Sequence, residues 1–207
     1  MPVTGKLISQ AIMANFNAKT IKGRNAIDIA DSVGLAVASH ITAPNMLSFT
    51  CIGTAGPSGT ALSTAVVGIE PAAMSGLMQS RASQVGFGEG GRDLSSFFSA
   101  ISNGVCQVLS SMIAQGTFAG LAMGGGSAKL TNISAKGLMG LMKANFTSKK
   151  LTGRDITKIA DCISYGIVTQ LKAGATFTIA VTGIIAPVPP VGPVPVAGIP
   201  AIYSKIS

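Results

Sequence analysis

"QAIMANFNAKTIKGRNAIDIADSV", residues 10–33, returns as "GLMKANFTSKKLTGRDITKIADCI", residues 140–163, without a gap and at an offset of 130. Asn15-Phe16 falls on Asn145-Phe146, Gly23-Arg24 on Gly153-Arg154, and Ile29-Ala30-Asp31 on Ile159-Ala160-Asp161. Between them stands a degenerate third copy, "GFGEGGRDLSSFFSAISNGVCQVLSSM", residues 86–112. There Gly91-Arg92-Asp93 lines up with Gly153-Arg154-Asp155, Ile101-Ser102 with Ile163-Ser164, and Gly104 with Gly166. A unit of about 60 residues buries too little apolar surface to stand alone, so like units are expected to share one core.

Each unit reads in the same order. A first helix is expected over 7–17, 72–84 and 136–146, followed by a polar loop that ends in Gly-Arg. Asn25, Asp93 or Asp155 then stands where the N-cap of a second helix belongs, able to accept from the free amides of the first turn. The second helix carries an apolar stripe at 3.6-residue spacing. In the last copy the stripe is Ile156, Ile159, Ala160, Ile163, Ile167 and Leu171. In the first it is Ala26, Ile29, Ala30, Val33, Val37 and Ile41, and in the middle Leu94, Phe97, Ile101, Val105, Leu109 and Met112.

After the second helix the pattern changes. "NMLSFTCIG" (45–53) and "ATFTIAVTG" (175–183) are rich in β-branched and aromatic residues and predict strands, and 53–70 predicts a Gly-Pro-Ser-Gly turn feeding another. "AMGGGSAKL" (122–130) reads as a flexible joint. The run "IIAPVPPVGPVPVAGIP" (184–200) is too dense in proline for helix or interior strand. It predicts an extended arm whose Pro187, Pro189, Pro190, Pro193, Pro195 and Pro200 dock on a partner. The expected class is therefore α+β: three helix–loop–helix–strand repeats packed together, around a pseudo-threefold axis or in a stack. The expected divisions are 1–70, 71–128, 129–186 and a Pro-rich C-terminal arm, 187–207.

Composition narrows the function. Charged residues are 11% of the chain, against roughly 25% in an ordinary soluble domain. Hydrophobic residues are 47%, Trp is absent, and the net charge is +8. So little charge leaves a surface that must meet lipid or other protein subunits. The three cysteines, Cys51, Cys106 and Cys162, form no zinc or disulfide pattern and read as small buried apolar residues. The opening segment lacks the apolar core of a signal peptide, so Sec export is not expected.

The motifs that suggest chemistry do not hold up. "GFGEGG" (86–91) matches G-x-G-x-x-G in letters, but it follows a helical stretch instead of a strand, and Glu89 would face the pyrophosphate. His40 is the only histidine and reads as a helix-end residue. The recurring Asp31 and Asp161 suit a repeated structural contact, with the recurring arginines as candidate partners, better than an acid–base pair. Arg24, Arg92 and Arg154 are expected to pin their loops; the alternative is a positive ring that meets a partner or DNA phosphates without base recognition. No enzymatic activity, cofactor or metal is expected.

Two homes remain for the uncharged surface. The most apolar run, residues 104–123, holds Gln107, Ser110, Ser111, Gln115 and Thr117, which makes a poor membrane span. Burial against neighbouring subunits fits better. The Ala/Gly/Ser/Thr richness, the helix-pair units and the stretch "FTCIGTAGPSGTALSTAVVGI" (49–69) resemble small virion structural proteins of tailed bacteriophages. That resemblance implies a non-enzymatic capsid, neck or tail component made in the host cytoplasm. Its partners would be other copies of itself and other particle proteins. A small membrane-associated or membrane-permeabilising oligomer is the alternative.

Overall fold

In the computed structural model the backbone is described for residues 3–42, 48–55, 59–67, 69–86, 92–111, 114–119, 125–130, 132–174, 176–181 and 194–206. Side chains are described for 3–23, 25–42, 69–86, 93–111 and 132–174. Six helices make up the packed body: α1 (Gly5–Ala18), α2 (Arg24–Thr42), α3 (Pro71–Gln84), α4 (Arg92–Ser110), α5 (Ala135–Ser148) and α6 (Ile156–Gly174). The odd-numbered helices each have 14 residues and the even-numbered ones 19. Each helix packs on the next along the chain, and α6 packs back on α1, so the six form a closed ring.

The ends of the short helices show how the sequence enforces this repeat. Thr4 and Ser134, 130 residues apart, cap α1 and α5: the Leu7 N–H donates to Thr4 Oγ1 at 3.3 Å and the Gly137 N–H to Ser134 Oγ at 3.0 Å. In the middle unit Glu70 makes no side-chain cap, and Pro71 at the first helical position needs no amide partner. At the other end the chain turns through the left-handed region at Thr20 (φ 55°), Gly86 (φ 76°) and Lys150 (φ 56°). In the outer units the Ile21 and Leu151 amides reach back to the Phe16 and Phe146 carbonyls at 2.9 Å, closing the helix with a Schellman motif.

The short helices bury a narrow stripe, such as Ile8, Ile12 and Phe16 in α1 and Leu138, Met142 and Phe146 in α5. The long helices bury a wider face; in α6 it takes in Ala160, Cys162, Ile163, Ser164, Gly166, Ile167, Val168 and Leu171. Phe97 of α4 stacks on Phe146 of α5 with ring centroids 5.4 Å apart. Small residues let the helices approach closely. A Cβ built on Gly34 of α2 would lie 2.7 Å from the Gly5 carbonyl oxygen of α1.

Among the residues whose side chains are described the structure is all-helical, with six helices and no strand, and this overturns the α+β class expected from the sequence. The stripes on the helices are covered by other helices. The described core is drawn from them and from Val3 and Ile133 beside them, with no sheet as a facing layer. Between the helix pairs only backbone is described. There, β1 (Ser48–Ala55), β2 (Gly59–Val67), β3 (Ala114–Ala119), β4 (Gly125–Leu130), β5 (Thr176–Val181) and β6 (Val194–Ile206) pair antiparallel in chain order, and β6 returns to β1. Residues 125–130 of the expected flexible joint are the β4 ladder. Pro195 and Pro200 of the expected arm stand opposite Thr54 and Thr50 of β1. Pro187, Pro189, Pro190 and Pro193 lie outside the described residues.

Candidate functional site

Of the charged residues singled out by the repeat, Arg154 and Asp155 lie in the loop before α6, while Arg24, Asp31, Arg92, Asp93 and Asp161 lie in the helices. Gly23 and Gly153 have open space around them, and neither has a left-handed φ. Gly91 lies outside the described residues, as do the side chains of Arg24 and Arg92. Arg154 is exposed. The expected N-caps are corrected: α2 and α4 begin at Arg24 and Arg92, so Asn25 and Asp93 fall inside the first turn. Asp155 does precede α6, but its carboxylate accepts from Lys158 Nζ at 2.9 Å. That ammonium holds the Asp155 carboxyl below the usual carboxylate range.

The two recurring aspartates have structural partners, and neither is an arginine. Asp161 pairs with Lys19 across α6 and α1, where the last unit meets the first. Asp31 accepts from the Ser9 hydroxyl, within the first unit. The sequence suggested the recurring arginines as partners; among the described side chains the two aspartates meet a lysine and a serine, and the side chains of Arg24 and Arg92 lie outside the described residues.

His40 stands in the last turn of α2 and is 1% exposed. Its Nε2 accepts from the Glu70 N–H at 3.3 Å, so the neutral imidazole holds the residue just before α3. Burial lowers its pKa, and the nearby Glu70 carboxylate opposes that shift only in part. Cys106 and Cys162 are buried free thiols; burial pushes Cys106 up to about 12 and raises Cys162. No group of three or more His, Cys, Asp or Glu side chains able to hold a metal exists among the described residues. No helix among them is long and apolar enough to cross a membrane.

No family model, curated protein or solved structure matches this chain. The site must be read from its own geometry.

One concavity gathers charge. A cavity of about 500 Å³ lies along α1, α2 and α3, where Lys6, Ser9, Asp31, Leu35 and Arg81 meet Ile27. Ile27 is 56% exposed, high for a large apolar side chain. Arg81 Nη1 donates to Gln84 Oε1 at 3.1 Å, but its Nε is buried without a hydrogen-bond partner among the described residues. The groove sets the Lys6 and Arg81 cations and the Asp31 carboxylate beside an apolar wall of Ile27 and Leu35. Sequence reasoning missed it, because Arg81, Lys6 and Asp31 come from three different helices.

Proposed function

We propose that the chain is a non-enzymatic structural subunit of a large protein assembly, a bacteriophage virion component of the capsid, neck or tail. The observation that carries this reading is the closed ring of three equivalent helix pairs, in which the recurring polar residues hold the body together. Thr4 and Ser134 cap helices, Lys19 and Asp161 meet where the ring closes, and Asp155 pairs with Lys158 at the start of α6. Charged residues at 11% leave the outer surface short of what keeps a free protein apart from its neighbours. Other particle proteins would cover that surface. The resemblance in composition to small phage virion proteins supports the choice of particle.

The test is a density gradient. Particles are banded from cells in which the chain is made, and their proteins are quantified by mass spectrometry. The reading predicts the chain in the particle band, at a fixed ratio to the other particle proteins. Recovery only as free protein at the top of the gradient contradicts it.

A further inference from the structure

Positive charge is gathered in two short stretches of the chain. Residues 19–24 and 149–158 hold seven of the 15 basic residues and only one of the seven acidic ones, Asp155. Lys19, Lys22 and Arg24 belong to the first stretch, and Lys149, Lys150, Arg154 and Lys158 to the second. The fold brings the two together. Helices α1 and α6 run antiparallel, since Asp161 of α6 meets Lys19 just past the end of α1, while Gly166 further along α6 lies on Ile12. The end of α1 therefore stands beside the start of α6, and the loops on either side of the closing seam form one basic edge. In the middle unit Val85 and Gly86 hold the places of Lys149 and Lys150, so the lysines belong to the two outer units.

Two of these cations are neutralised, Lys19 by Asp161 and Lys158 by Asp155. Lys22, Lys150 and Arg154 are exposed and Lys149 is half-buried, and none of the four has an ion-pair partner among the described residues. The apolar residues of the same loops, Ile21 and Leu151, pack against the core, and neither stretch contains an aromatic residue. The edge thus presents charge of one sign with no apolar anchor beside it, which suits a polyanion. A lipid surface holds a peripheral protein by inserted apolar side chains as well as by charge, and here those side chains are kept in the core. The bases of a single strand need aromatic platforms. The phosphates of a duplex need neither, and lysines meet them as point charges without reading sequence.

We propose that the edge formed by these two loops binds the phosphate backbone of double-stranded DNA without sequence preference. This goes beyond the assembly reading and does not depend on it. Lys22 reaches the duplex from one side of the seam, and Lys149, Lys150 and Arg154 reach it from the other.

The test follows binding of the full chain to a labelled duplex of mixed sequence by fluorescence anisotropy, at about 0.1 M salt, where charges more than about 10 Å apart are largely screened. The expected Kd is on the order of 1–100 µM, and log K should fall with log salt at a slope of about −3, as suits three or four phosphate contacts. The triple variant K22Q/K149Q/K150Q should bind at least about tenfold more weakly and with a shallower slope. A second triple, K6Q/K136Q/K172Q, removes the same charge from exposed lysines at the opposite ends of α1, α5 and α6 and should lose less than about threefold. Both variants are compared at wild-type circular dichroism. No binding up to about 1 mM, or equal losses in the two triples, overturns the proposal, since the second outcome would reflect net charge and not this edge. Binding as tight or tighter to poly-glutamate, or to vesicles of phosphatidylcholine and phosphatidylserine, assigns the edge to an acidic peptide or a lipid surface and overturns it too.

Discussion

Gly166 of α6 lies directly on Ile12 of α1: a Cβ built on the glycine would stand 2.6 Å from Ile12 Cγ1 and 2.8 Å from its backbone nitrogen. The same contact recurs between Gly104 of α4 and Met142 of α5, where a Cβ would meet the Met142 nitrogen at 3.2 Å. Met142 is the repeat equivalent of Ile12, 130 residues on. Two of the three crossings between units are thus set by a glycine, Ala36 standing at the equivalent position of α2, and the closing crossing is the tighter of these two. Gly166→Ala is expected to destabilise the chain by about 2–3 kcal/mol, because backbone must shift to admit the methyl group. Gly104→Ala should cost less, about 1 kcal/mol, since the Met142 side chain can give way. Gly140→Ala, at an exposed position in α5 with open space around it, should stabilise by roughly 0.5–1 kcal/mol. Urea unfolding of the three variants checks the order.

The left-handed turns after the short helices give a second set. Thr20 and Lys150 hold a conformation that costs a residue with a Cβ roughly 1 kcal/mol, and Gly86 shows what the position prefers. Thr20→Gly and Lys150→Gly are each expected to raise stability by about 0.5 kcal/mol after the added freedom of the unfolded chain is allowed for. Gly86→Ala should lower it by about 1 kcal/mol. Thermal melts that rank these three otherwise contradict the Schellman reading of the helix ends.

His40 makes stability depend on pH. Its pKa in the folded chain lies below its ordinary value near 6.5, so the unfolded chain binds the proton more readily. The contribution of the neutral imidazole is complete above about pH 6.5 and is lost as pH falls from there towards the lowered folded value. His40→Gln should remove this part of the pH dependence while costing about 1–2 kcal/mol at pH 8, because the Glu70 amide loses its partner or accepts a poorer one. Chemical denaturation between pH 5 and 8 measures both effects; an unchanged slope in the variant contradicts the assignment.

The Lys19–Asp161 pair joins the ends of the ring but is more than a third exposed on both sides, 40% and 34%. Its worth is therefore small. A double-mutant cycle with Lys19→Met and Asp161→Asn should give a coupling of about 0.2–1 kcal/mol that shrinks in high salt. The ring holds without it, so neither single variant should unfold.

Helices and their buried faces were legible in the sequence. Ile163, Ile167 and Leu171 are buried as their spacing requires, and so are Val33, Val37 and Ile41. The buried face of α4 is wider than its stripe, because Phe98, Cys106 and Val108 also find cover against neighbours. The class was not legible. β-prone composition in 45–53 and 175–183 suggested an α+β class of helix–loop–helix–strand repeats, whereas helix-on-helix contact covers the described apolar stripes. Partner choice among polar groups was not legible either, since Asp161 reaches Lys19 across 142 positions of sequence. The groove along α1, α2 and α3 has the same origin: Arg81 differs from Asn15 and Asn145 by one letter in a degenerate copy, and only packing gives that letter a setting.

The most direct test of the closed ring is a nuclear Overhauser experiment on the labelled full-length chain, looking for contact between the Gly166 α-protons and the Ile12 side chain. A strong cross-peak, weakened or displaced in Gly166→Ala, is the predicted result. Absence of that cross-peak in a folded chain, with Ile12 and the buried face of α6 open to solvent exchange, would show that the last helix does not return to the first.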